Sequence, residues 1–295
     1  MSSTLQTISE IPRLFPRPAD ANKGQFGRVL IVAGSRGMSG AAILCGSGAL
    51  RGGAGLVRVA TPASIQPIVA SGNPCYMTVP LPEDAEGRAG HAAAGELVAL
   101  AGASNSVVVG PGLGKSATLP DLLLAILSQT TVPLVLDADA LNSLAGRATD
   151  LRLHHGPVVI TPHPGEFARL LDCDIAAVQA DRKRLAARFA EAHHAIVVLK
   201  GQGTVVTDGR RIAVNETGNP GMATGGTGDV LAGLVAALLG QGLEPFAAAR
   251  LAVHLHGLAG DLGRADKGET SLIATDLLDY LPRAFLAHTA APYSV

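Results

Sequence analysis

The stretch Val107-Val108-Val109-Gly110-Pro111-Gly112-Leu113-Gly114, then a leucine-rich segment at 119–128, then Leu134-Val135-Leu136, contains one complete unit of the pattern that decides the fold. A short run of aliphatic residues without polar alternation reads as a strand buried on both faces, and the segment between them has helical spacing. Strand, helix and strand in that order make a parallel crossover whose helix packs on a face of the sheet. The same rhythm continues outward. Val29-Leu30-Ile31-Val32, Leu56-Val57-Arg58-Val59, Val158-Val159-Ile160 and Ile196-Val197-Val198-Leu199 read as further strands, and 39–50 and 178–192 as further helices. The sequence predicts an α/β fold with a central, mostly parallel sheet flanked by helices on both faces.

After Lys200 the pattern changes. Thr204-Val205-Val206-Thr207 and Arg211-Ile212-Ala213-Val214 flank Asp208-Gly209, a hairpin signal that predicts an antiparallel extension of the sheet. Three helical stretches follow, from about Thr227, Glu244 and Thr275, with no Pro/Ser-rich linker before them. Residues 23–295 therefore read as a single domain. Residues 1–22 read as an entry arm, since Pro12, Pro16 and Pro18 break any long helix there.

Composition removes several function classes. Hydrophobic residues at 47% against 16% charged exclude disorder, and with aromatics at 3% the core must be built from Ala, Val, Leu and Ile. The balance of 23 basic and 24 acidic residues, without a run of either sign, leaves no electrostatic footprint for nucleic acid. The apolar stretch at 230–239 falls short of the roughly 20 residues that cross a bilayer, so no membrane association is expected. Cys45, Cys75 and Cys173 have no CxxC or zinc spacing, which suits a reducing cytoplasm.

The unusual residues cluster at the ends of the predicted strands, where open α/β sheets bind ligands. Gly225-Gly226-Thr227-Gly228-Asp229 runs straight into an apolar helix, so its backbone N–H groups and the helix dipole together make an anion hole for phosphate. Asp229, in the first turn, is placed to take the proton of an attacking hydroxyl, although a carboxylate there also complements the dipole. The run 110–116 is not a P-loop, because Val109 stands where the first glycine is required, and Gly34, Gly37 and Gly40 do not make a dinucleotide fingerprint. Both read as turns that let a ligand approach backbone. Thr161-Pro162-His163-Pro164-Gly165-Glu166 reads as a stiff substrate wall. In Lys200-Gly201-Gln202-Gly203-Thr204, the lysine and threonine are candidates for a nucleotide phosphate. Asp137 is the candidate to organise Mg²⁺ or ligand, whereas Asp139 reads as a helix cap. The pairs His154/His155, His193/His194 and His254/His256 lack a third ligand at metal spacing and read as non-functional.

Taken in order, Lys23-Gly24 with Phe26-Gly27-Arg28-Val29-Leu30, Ser39-Gly40-Ala41-Ala42, Gly110-Pro111-Gly112-Leu113-Gly114, Leu136-Asp137-Ala138-Asp139-Ala140-Leu141-Asn142, the 161–166 segment and Gly225 through Asp229 resemble the NAD(P)H-hydrate dehydratases. The resemblance runs from about Lys23 to Pro282. It implies a ribokinase-like fold and repair of NADHX and NADPHX, reduced nicotinamide cofactors hydrated across a ring double bond. It further implies that the S epimer is dehydrated at the expense of ADP, favoured over ATP, with Mg²⁺. By the same resemblance Ala42, Gly112, His163 and Asp229 contact the hydrated cofactor, Asp229 being catalytic. Lys200, Gly201, Gln202, Gly203, Thr204 and Gly228 hold the nucleotide. A homotetramer is implied, and because the epimerase domain fused to many relatives is absent from these residues, cooperation with a separate epimerase. Asn22 and Cys75 stand where His and Glu are common in the family, which touches substrate contact or subunit packing rather than the phosphate site. The glycine motif leaves two alternatives open: a small-molecule kinase of the same superfamily, and a nucleotide-binding protein without catalysis.

Overall fold

The structure is a computed structural model that describes residues 5–14 and 16–290. In chain order its elements are β1 (Gln6–Thr7), β2 (Arg28–Val32), α1 (Ser39–Arg51), β3 (Leu56–Pro62), α2 (Gln66–Gly72), β4 (Met77–Leu81), α3 (Ala94–Gly102) and β5 (Ser106–Val109). Then come α4 (Leu119–Gln129), β6 (Leu134–Leu136), α5 (Asp139–Ser143), β7 (Val158–Ile160), α6 (Pro164–Leu171), α7 (Ile175–Ala180), α8 (Arg182–His193) and β8 (Ile196–Leu199). The chain closes with β9 (Val205–Thr207), β10 (Arg211–Val214), α9 (Thr227–Gly240), α10 (Pro245–Lys267) and α11 (Ala274–Ala290).

All the strands join one sheet in the order β1-β10-β9-β8-β7-β6-β5-β2-β3-β4. Among them β9 alone runs against the rest, since β10 turns back antiparallel to β9 and β1 lies parallel to β10. Because side chains alternate along a strand, every central strand feeds two cores. Val29, Ile31, Val108, Val135, Val159 and Val198 point to one face, where α1, α2, α9, α10 and α11 pack. Leu30, Val32, Val107, Leu134, Ile160 and Val197 point to the other, covered by α3 through α8. The near-continuous aliphatic runs are the consequence, because neither side of these strands meets water.

Helix α9 is the centre of the first layer. Its residues 230–239 are all buried, and it lies against α1 at backbone contact. A methyl group on Gly233 would sit 2.0 Å from Cys45 O, and one on Gly48 would sit 2.5 Å from Val230 O. The small residues at these two positions are what allow that approach.

Three findings differ from the sequence reading. The expected helix at 178–192 is two helices, α7 and α8, separated at Asp181, whose φ of −147° and ψ of 51° leave the helical region. Strand β4, unread in the sequence because of Pro80, is the sheet's outer edge beyond β3, where a missing N–H costs no ladder bond. Within the expected arm, Gln6 and Thr7 pair with Arg211 and Ile212 and so belong to the sheet. Among the described residues no helix is long and apolar enough to cross a membrane.

Candidate active site

The chain leaves β2 to build β3 and β4 on one side, then returns to build β5 and its successors on the other. The carboxyl ends of β2 and β5 therefore flank a topological switch point, where open α/β sheets leave a crevice. Gly34 and Gly110 follow these two strands closely, and Asp137, Thr161 and Lys200 directly follow β6, β7 and β8. One end of the sheet thus collects all five segments singled out in the sequence.

Asp137 and Glu166, from two of these segments, converge on Lys200. Its Nζ lies 2.8 Å from Asp137 Oδ1 and 4.0 Å from Glu166 Oε2. A methyl on Gly228 would lie 3.2 Å from the same Nζ and 3.7 Å from Asp137 Oδ2, so the first turn of α9 abuts the pair. Burial pulls the Lys200 pKa down, but Asp137, Glu166 and Asp229 outweigh it and hold the ammonium above its ordinary value. Asp229 is pushed up to about 7, by burial first and then by the negative charge of Asp137, with Lys200 opposing. A carboxylate so placed changes charge near neutral pH, as a general base requires.

The start of α9 is open for an anion. Gly226 precedes it with a φ of 93°, and among the described residues no side chain caps it. Thr227 turns its hydroxyl back onto Met222 O at 3.1 Å, with Thr224 O at 3.2 Å, and so braces the turn. Beneath it His256 Nε2 lies 2.9 Å from Thr227 O. Burial lowers His256 to about 4, so the ring is neutral and Nε2 carries the proton it donates to that carbonyl. His256, read as non-functional in the sequence, braces the first turn of α9 through the Thr227 carbonyl.

The segment 200–204 is held from outside by Arg182 of α8, whose Nη2 donates to Leu199 O at 2.9 Å and Lys200 O at 3.2 Å. Thr204 donates its hydroxyl to Gly201 O at 2.9 Å, which closes the loop and leaves the hydroxyl oxygen's acceptor side free. Gly201 and Gln202 are exposed. Nothing in the sequence pointed to Arg182, because its role depends on a helix packed against the loop.

His163 caps α6. Its Nδ1 accepts from Gly165 N at 3.0 Å and Glu166 N at 3.3 Å, while Glu166 Oε2 accepts from His163 N at 2.8 Å. This reciprocal cap makes the wall stiff, beyond what its two prolines provide, and leaves the proton on Nε2. Burial, followed by the charges of Lys200 and Arg169, lowers the His163 pKa, and its Nε2 lies 3.5 Å from Glu166 Oε1.

On the switch-point side, Gly34 N donates to Pro111 O at 2.8 Å and Ser35 Oγ donates to Gly112 O at 2.8 Å. Gly112 and Ala42 are buried, Ala42 beneath Gly34, whereas His163 is exposed and Lys200 half-buried. Asp139 does not cap α5. Its Oδ2 accepts from Gly114 N at 2.8 Å and ties the glycine-rich loop to the start of α5. Between the two aspartates Ala138 has a φ of 51° and a ψ of −116°, a conformation costly for an L-residue and found where surroundings over-determine the backbone.

Residues 29–283 match the family model described as NAD(P)H-hydrate dehydratase. A bifunctional NAD(P)H-hydrate repair enzyme of Moorella thermoacetica is 45% identical over 276 residues, covering 93% of this chain and 51% of that protein. The chain spans about half the length of such curated relatives. The crystal structure of an ADP/ATP-dependent NAD(P)H-hydrate dehydratase from Bacillus subtilis, co-crystallized with ATP/Mg²⁺, superposes with a TM-score of 0.83 at 31% identity, covering 93% of this chain and 94% of that one. A ribokinase-like superfamily protein from Enterococcus faecalis gives 0.79 at 29% identity over 96% of each chain. The sheet is therefore that of a ribokinase-like protein, and the chain belongs to the NAD(P)H-hydrate dehydratase family of enzymes.

Proposed function

We propose that this chain dehydrates the S epimer of NADHX and NADPHX to NADH and NADPH, with ADP as donor in preference to ATP. The observation that carries the reading is the convergence of Asp229, the uncapped start of α9 and the Lys200–Asp137 pair at one point of the crevice. Hydroxide is a poor leaving group, and phosphorylation makes the ring oxygen a good one. In the first step the ring hydroxyl oxygen bonds to the terminal phosphorus, the bond from phosphorus to the rest of the nucleotide breaks, and Asp229 takes the hydroxyl proton. In the second, phosphate leaves one ring carbon, a proton leaves its neighbour, and the double bond returns.

In this reading the N–H groups of Gly225, Gly226, Thr227 and Gly228 hold the transferring phosphoryl, and Lys200 stands opposite. Residues 200–204 and Gly228 seat the nucleotide. His163 donates from Nε2 to the hydrated cofactor, which Ala42 and Gly112 also contact. Among the described residues no three His, Cys, Asp or Glu side chains gather to hold a metal. Mg²⁺ commonly binds through one or two carboxylates and the nucleotide's own phosphates, and Asp137, whose Oδ2 would lie 3.7 Å from a methyl on Gly228, is the candidate carboxylate here. Mg²⁺ would offset phosphate charge there. Residues 23–295 would act as one domain in the cytoplasm, as a homotetramer, with a separate epimerase interconverting R and S substrates.

The test is recovery of absorbance at 340 nm when the protein and Mg²⁺ meet NADHX with ADP, ATP or neither. Nucleotide-dependent recovery is expected, faster with ADP. No recovery by folded protein that binds nucleotide would move the assignment to a small-molecule kinase. Gly228→Val drives a branched side chain against Lys200 Nζ and is expected to weaken nucleotide binding by on the order of a hundredfold, measured by calorimetry. Unchanged affinity would remove the anion hole from this position.

A further inference from the structure

We propose that Asp261, on α10, is a positioning residue for the phosphate cradle: its carboxylate ties the 215–226 loop to α10 and so fixes where α9 begins. The inference rests on the reading of Gly225 through Gly228 as the phosphate site.

The loop leaves β10 and delivers those glycines to the crevice. Asp261 Oδ2 accepts from Gly218 N at 2.8 Å and Oδ1 from Asn219 Nδ2 at 3.0 Å. Asn219 passes the restraint on, because its Oδ1 accepts from Gly221 N at 3.1 Å and starts a tight turn over Pro220–Met222. Met222 O then receives the Thr227 hydroxyl, and Thr227 O receives His256 Nε2. A continuous chain of contacts thus connects Asp261 to the first residue of α9.

One face of α10 is shaped for this loop. Residues 254, 257 and 261 lie on it at helical spacing, with Gly260 alongside. His254 O accepts the Thr217 hydroxyl at 2.9 Å. A methyl on Gly257 would lie 2.3 Å from Thr217 Oγ1, and one on Gly260 would lie 2.2 Å from Met222 Sδ. Apart from Asn215 N to Thr204 O at its start, the hydrogen bonds described from the loop to the rest of the protein run to α10 or to the first turn of α9. Its outer side, at Glu216, Gly218, Pro220, Ala223 and Gly225, is exposed. A carboxylate suits the latch because it accepts two donors at once, whereas an amide offers one acceptor and turns its NH₂ toward the second donor. A cradle ordered in advance binds phosphate without ordering cost at the moment of binding.

The experiment compares wild type with Asp261→Ala and the isosteric Asp261→Asn, by calorimetry with Mg²⁺ and ADP or ATP, steady-state kinetics and amide hydrogen exchange. Nucleotide Kd and KM are expected to rise about tenfold or more in Asp261→Ala and less in Asp261→Asn, the loss of hydrogen bonds to a charged acceptor. The KM for hydrated cofactor should stay within about twofold, and exchange of the 218–228 amides should accelerate. Folded variants that keep wild-type nucleotide affinity and amide protection would overturn the proposal, and Asp261→Asn carries the comparison if Asp261→Ala does not fold. A wild-type chain that bound no nucleotide would bring down the phosphate-site reading. Amide exchange, which needs no nucleotide, would still decide whether Asp261 holds the loop.

Discussion

Asp229→Asn is expected to lower turnover by on the order of a thousandfold while nucleotide affinity is kept, because the amide has nearly the carboxylate's shape but cannot accept the hydroxyl proton. In wild type the Asp229 pKa of about 7 makes the carboxylate, the active form, scarce in acid. The rate should therefore fall roughly tenfold per pH unit below that value, and the residual rate of Asp229→Asn should show no such limb. The same shift has a sign for stability. The folded state holds this proton more tightly than the unfolded one, so the proton's stabilising contribution, full below the ordinary aspartate value, is lost as pH rises through about 7. At pH 8 Asp229→Asn should melt higher than wild type, by roughly 2–5 °C, with the gain gone near pH 4. A variant that turned over normally, or that kept the acid limb, would exclude Asp229 as the base.

Gly233→Val should cost several kcal/mol, on the order of 3–5, or prevent folding outright. The first atom of any side chain there meets Cys45 O at 2.0 Å, a backbone atom that cannot swing aside. Relief requires α1 and α9 to separate, and the layer around them, from Val29 to Ala284, is closely packed. Chemical denaturation checks this directly. A variant of unchanged midpoint would mean that the two helices are not in backbone contact. Since α9 carries Asp229 and α1 begins beside the crevice, any soluble Gly233→Val protein should lose activity as well.

How much of this was legible in the sequence depended on how local the cause was. Six strands were readable, five because burial on both faces forces an unbroken aliphatic run such as Val158-Val159-Ile160, while Leu56-Val57-Arg58-Val59 is broken only by the exposed Arg58. The hairpin was readable because Asp208-Gly209 marks its own turn. Strand β4 hid behind Pro80, which is tolerated only because nothing lies beyond that edge, a fact about position in the sheet. The break between α7 and α8 has no Gly or Pro to announce it. Lys200, Asp137 and His163 announced themselves as charged or titratable groups beside strand ends, and Asp229 as a carboxylate behind a glycine run at a helix start. The residues that hold them did not. Arg182 on the 200–204 loop, Asp139 on Gly114 and His256 under Thr227 act across separations of 18, 25 and 29 residues, and tertiary packing alone brings such partners together.

The burial of α9 also bears on how the site behaves in different solutions. Its residues 230–239 are all enclosed by protein, so dissolved ions and water cannot gather along the helix to oppose its aligned peptide dipoles. Salt reaches only the open mouth at Gly225, while the positive end of the helix keeps its field on any phosphate seated there. Attraction for the phosphate proposed to sit here would therefore depend less on ionic strength than at a site made of surface lysines.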